Sequence, residues 1–187
     1  SASTASSLGS AVARITLDAA DLNAAAIVLT ANANASATSS LNFGPGAAAL
    51  INTTATAEVL VTNATRLTSS GDVTLHADSV TVTQAVSRAV GGTGSVSADA
   101  AVATSVVTGS AKVNVAGGTI DVDGAVELAA TNSRTVTTLA DGTAGGSTAV
   151  GATVAVSTVS GDTEASIDGS AQVLKAGSVK VSATKLD

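Results

Sequence analysis

Gly71-Asp72-Val73-Thr74-Leu75-His76-Ala77 decides the fold, because the chain repeats it twice at one interval. Gly124-Ala125-Val126-Glu127-Leu128-Ala129-Ala130 begins 53 residues later (71 to 124), and Gly177-Ser178-Val179-Lys180-Val181-Ser182-Ala183 another 53 after that (124 to 177). Each phrase is a Gly followed by apolar residues at the second, fourth and sixth positions. A worn version, Ala25-Ala26-Ile27-Val28-Leu29-Thr30-Ala31, lies upstream at an offset of 46 (25 to 71). A fixed long period points to a stacked-repeat architecture before any local propensity is weighed.

Working outward, two more apolar anchors precede each phrase at matching spacings. They are Leu17, Leu22 and Ile27; Val61, Leu67 and Val73; Val115, Ile120 and Val126; Ile167, Val173 and Val179. Turn-forming breaks separate the copies: Asn42-Phe43-Gly44-Pro45-Gly46, Gly91-Gly92-Thr93-Gly94, and the stretch from Gly142 to Gly146. The chain therefore reads as one solenoid array over 1–187, with repeats at about 1–40 (degenerate), 41–90, 91–141 and 142–187.

Alternation at period 2 puts each apolar set on one face of a strand. Such a strand cannot bury that face alone; stacking buries it and pairs the backbone with the next layer. The expected fold is all-β, a parallel β-helix or β-solenoid. A repeat of 53 residues exceeds a coil of the usual size, so each is expected to hold two coils of about 26 residues, three of about 18 also fitting. Helix is disfavoured despite abundant Ala, because Gly, Thr, Val and Ser are frequent and the alternation is of period 2. The expected inward rows are Val73/Val126/Val179, Leu75/Leu128/Val181 and Ala77/Ala130/Ala183.

Composition narrows the function. Phe43 is the only aromatic residue, so the core must be thin enough for small side chains to fill. A chain that is 45% hydrophobic and 12% charged, with its apolar residues in register, does not read as disordered. The net charge of -6, with no basic stripe and no stacking aromatics, argues against nucleic acid as a partner. Apolar runs are too short for membrane insertion. No Cys is present, so disulfides and thiolate metal sites are excluded. Ser1 opens no secretory signal, and an excised interior piece is expected.

The residues that could carry chemistry are few. His76 is the only histidine and sits where the other copies carry Ala129 and Ser182, a variable outward position. Asp121 and Asp123 share one side of a strand and could contribute to a Ca²⁺ site, but the pair does not recur: the equivalents are Thr68/Ser70 and Leu174/Ala176. Arg14, Arg66, Arg88 and Arg134 share no repeat position, and no Gly-x-Ser-x-Gly elbow is present. Thr81/Thr83 and Thr135/Thr137 form Thr-x-Thr pairs that, stacked on one face, would make an ice-binding ladder. No catalytic, cofactor or metal residue is assigned, and no enzyme is expected.

Gly151-Ala152-Thr153-Val154-Ala155-Val156-Ser157-Thr158-Val159, then Thr163-Glu164-Ala165-Ser166-Ile167, then Ala176-Gly177-Ser178-Val179-Lys180-Val181-Ser182-Ala183 resembles the repeat unit of giant surface proteins of Gram-negative bacteria. These are leukotoxin-like filamentous adhesins and haemagglutinin-type exoproteins. The resemblance covers nearly the whole chain and implies a right-handed parallel β-helix, secretion to the cell surface or matrix, and a role in adhesion or biofilm as a stalk. The expected function is thus a structural shaft segment of an extracellular adhesin or surface filament. Its partners are neighbouring repeats or a second copy head to tail, and the tip ligand lies outside this segment. The alternatives are a surface- or ice-binding solenoid module and a polysaccharide-processing β-helix enzyme.

Overall fold

The computed structural model describes residues 3–42, 44–92 and 94–187. Phe43 and Thr93, central to two of the breaks, lie outside the described residues. The rest forms a parallel β-solenoid of four coils and three sheets.

Coil 1 is β1 (Ser3–Asp18), β2 (Asp21–Ala24) and β3 (Ile27–Asn42). Coil 2 is β4 (Ala47–Thr62), β5 (Arg66–Ser69) and β6 (Val73–Val90). Coil 3 is β7 (Val96–Val115), β8 (Thr119–Val122) and β9 (Ala125–Thr143). Coil 4 is β10 (Thr148–Ser160), β11 (Thr163–Ile167), β12 (Gln172–Lys175) and β13 (Ser178–Leu186). Sheet A stacks β1-β4-β7-β10, with β11 continuing along β7; sheet B stacks β2-β5-β8-β12 and sheet C β3-β6-β9-β13. Every pairing is parallel.

The anchors align as their spacing predicts. Leu17, Val61, Val115 and Ile167 form one row, and Leu22, Leu67, Ile120 and Val173 the next. Ile27, Val73, Val126 and Val179 form a third, so the worn first copy keeps its place at an offset of 46. One expectation is corrected: each repeat closes in a single coil, because Val73 pairs directly with Val126 and Val126 with Val179. Strands of 16 to 20 residues along sheets A and C absorb the length that had been divided between two coils.

The lumen changes character along its width. Beside short sheet B it is filled by Leu67, Leu75, Ile120, Leu128 and their valine neighbours, all fully buried. Toward the Gly-rich breaks it holds Ala37, Ala85 and Ala103, then Ala47, Ala89 and Ala101. Walls spaced by Ala and Ser stand closer than walls spaced by Leu, so the coil tapers. This is how a chain with one aromatic residue can fill its interior with small side chains.

The Gly of the repeated phrase marks the corner between sheets B and C. Gly71, Gly124 and Gly177 lie outside the left-handed region; what they require is closeness. A Cβ on Gly124 would sit 2.7 Å from the Gly71 backbone. Left-handed backbone occurs instead at the corner between sheets A and B, at Ala19, Asn63, Gly118 and Gly169, and also at Gly44, Gly46 and Gly146 in the breaks between coils and at Gly161 between β10 and β11.

Candidate functional site

The charged side chains are organised between coils. Arg14 meets Glu58 at 2.5 Å, Lys112 meets Glu164 at 3.1 Å, Lys180 meets Glu127 at 2.6 Å, and Lys175 meets Asp123. Each pair joins adjacent coils. Arg14, Glu58, Lys112 and Glu164 stack in one row on the outside of sheet A, alternating in sign from coil 1 to coil 4. The Lys112 ammonium, with Ser166 Oγ donating at 3.0 Å, holds the Glu164 carboxyl below the usual range. Asp123 holds the Lys175 ammonium above its usual range. Exposed pairs of this kind add little stability each, but like charges directly stacked would oppose pairing, so the row favours this register over a slipped one.

Polar groups inside the narrow half of the lumen bond across it. Ser79 Oγ donates to the Ala55 carbonyl at 3.0 Å, Ser87 Oγ to that of Ala47 at 2.8 Å, and Thr83 Oγ1 to Thr53 Oγ1 at 2.9 Å. One coil on, Asn132 replaces Ser79 and Gly109 replaces Ala55, with Asn132 Nδ2 donating to the Gly109 carbonyl. The larger side chain is matched by a smaller one opposite. A Cβ on Gly109 would lie 2.5 Å from Asn132 Oδ1. Arg134, also inside, pairs through Nη2 with Asp187 at 2.6 Å and donates from Nη1 to the Ser160 carbonyl at 2.8 Å. Asp99 is buried against Gly142 and Gly151, and neither of its carboxylate oxygens has a hydrogen-bond partner among the described residues.

The residues singled out in the sequence do not converge. His76 faces outward in a row with Thr30, Ala129 and Ser182, its Nε2 3.1 Å from Asp78 Oδ1. Asp121 stacks over Thr68, and Asp123 is engaged by Lys175. Arg14 lies outside sheet A, Arg66 in sheet B, Arg88 outside sheet C and Arg134 in the lumen. No group of three or more His, Cys, Asp or Glu comes together among the described residues. The Thr-x-Thr pairs fall on opposite faces. Thr81 and Thr83 are fully buried inside, whereas Thr135 and Thr137 stack on Val82 and Gln84 outside. β6 runs from Val73 to Val90 without a break in phase, so the inward setting of Val73 and Leu75 carries through to Thr81 and Thr83. The ladder expected of an ice-binding face is therefore absent from these residues.

A shallow depression of about 340 Å³ lies at the corner between sheets A and B, lined by Ala19, Asp21, Thr65, Arg66, Gly118 and neighbours. It holds one exposed acid and one exposed base and no nucleophile with a general base beside it.

Comparison of the chain with protein-family models, with curated proteins and with solved structures finds no match.

Proposed function

We propose that the chain is a shaft segment of an extracellular bacterial adhesin or surface filament, a stiff rod of stacked coils that carries a binding tip away from the cell. The observation that carries this reading is the continuity of the inward rows. Each anchor row runs in register through four coils, and the strands of coils 1 and 4 are the edge strands of all three sheets. A stack with two unpaired edges is an open-ended element, suited to continuation rather than closure. The likeness of its repeat to those of filamentous surface exoproteins supports the same reading.

The axial ends also supply the partner. Arg14 opens the alternating row and Glu164 closes it, so a second copy set head to tail brings its Arg14 over Glu164 and extends the alternation. Immunogold electron microscopy of producing cells, with antibody raised to this chain, tests the proposal. Label strung along fibres leaving the surface is expected. Label confined to the medium, with bare cells, overturns the shaft reading in favour of a freely secreted protein.

A further inference from the structure

The outside of sheet A carries a feature that axial stacking leaves unused. Outward positions alternate along each strand, and from the narrow edge to the row of Arg14, Glu58, Lys112 and Glu164 the one charged residue among the described residues is Asp162, at the bend between β10 and β11, two residues before Glu164. The large residues there are apolar and open to solvent: Leu50, Val102, Val106, Val150, Val154 and Val156 are 37% to 65% exposed. Sheet C offers no equivalent, because His76, Asp78, Arg88 and Asp141 interrupt its outer rows. The sequence of β10 carries the same message. Val150-Gly151-Ala152-Thr153-Val154-Ala155-Val156 does not alternate, which is how a parallel strand buried on both faces reads. In this fold every residue of β10 is exposed, so neither face is fully covered within the chain.

We propose that two copies of this chain pair laterally through the outer faces of sheet A, face to face and antiparallel, about a two-fold axis parallel to the strands. Two observations choose the occupant and the arrangement. The nearly charge-free face spans about a dozen residues along four strands, a rectangle of roughly 40 Å by 19 Å at ordinary strand dimensions. A pair would bury on the order of 1,500 Å², the size of a stable specific interface. The bounding charge row then fixes the direction. A two-fold axis along the strands reverses the order of the coils and leaves each column opposite itself. Arg14 then faces the partner's Glu164 and Glu58 faces the partner's Lys112, so all four positions oppose unlike charges. The same operation sets large against small in the central coils, Val102 opposite the partner's Ala48 and Leu50 opposite the partner's Thr104. Two sheets so packed stand about 10 Å apart.

The test uses the whole chain, which contains no cysteine, so an introduced thiol reports only on itself. Sedimentation equilibrium is expected to show a species of twice the chain mass. Replacing Val102 and Val154 by Lys is expected to weaken it by well over about tenfold, because lysines would be desolvated at the centre of the contact. Both side chains point away from the lumen, so the melting temperature of the dilute protein should stay unchanged. In the lateral pair the two Thr56 residues lie about one coil spacing apart across the gap of about 10 Å, whereas head-to-tail stacking separates them by four coils, about 19 Å. A Thr56→Cys variant should therefore be joined by a bismaleimide spanning about 10 Å, and Thr135→Cys, on the opposite face, should not. A strict monomer, a dimer indifferent to the two lysines, or a dimer without the Thr56→Cys cross-link each overturns the proposal.

Discussion

At Gly109 a single methyl group separates a packed lumen from a clash. The coil beneath solves the same position with Ala55 and Ser79, so the pairs Ala55/Ser79 and Gly109/Asn132 are two fillings of one space. Gly109→Ala alone should cost about 1–3 kcal/mol, since overpacking forces neighbours to shift. In an Asn132→Ser background the same change should be nearly neutral. A double-mutant cycle by urea unfolding measures the coupling, and additive effects would show that the two residues do not share the space. Val126 sits at the other extreme, in the wide half, with no solvent exposure. Val126→Asp places an uncompensated charge there and should destabilise by several kcal/mol. A variant that melts like the parent would remove Val126 from the interior.

At the scale of the strand, phase is what could be read and coil number is what could not. Val73, Leu75 and Ala77 alternate with polar residues, so their inward setting and their rows follow from the pleat alone. Thr81 and Thr83 mislead because Val80 and Val82, which alternate with them, invite the opposite setting. The unbroken strand overrules that local preference, and Thr83 is satisfied by Thr53 across the lumen. The length of a coil was hidden for a different reason. Strands of ordinary proteins run to about 5–6 residues, and nothing in an Ala-, Ser- and Thr-rich run announces a strand of 16 or 20. The lumenal roles of Asn132 and Arg134 were equally silent, since each depends on which residue faces it across the taper. The charge row, by contrast, has a pH signature that can be derived. Hydrogen bonds from Lys112 and Ser166 depress the Glu164 pKa in the folded state. That contribution is therefore fully present above the unfolded value and is lost as pH falls through the lower, folded one. Acidification from about pH 6 to about pH 3 should loosen coil 4 first, with a small amplitude because the pair is exposed. Amide exchange in β11 reads the effect, and Lys112→Gln should flatten its pH dependence.

For the whole molecule, the one-coil repeat sets how the rod answers a pull. The chain passes from one coil to the next only once per turn, so tension between its ends peels the outermost coil rather than breaking every sheet at once. Each coil in the middle of the stack holds a repeat of 53 residues, the distance from Val73 to its partner Val126. It occupies only about 4.8 Å of rod yet unravels to roughly 180 Å of extended chain. A single tethered molecule should therefore lengthen in steps of about 180 Å, with somewhat shorter steps from coil 1, whose residues lie 44 to 46 positions from their partners (3 to 47, 27 to 73). Steps of about half that size would instead mark two coils per repeat. A solenoid made this way is short for its mass but holds in reserve some thirty-five to forty times its own length, roughly the ratio of contour to rise. Under tension such a stack can yield coil by coil rather than part all at once.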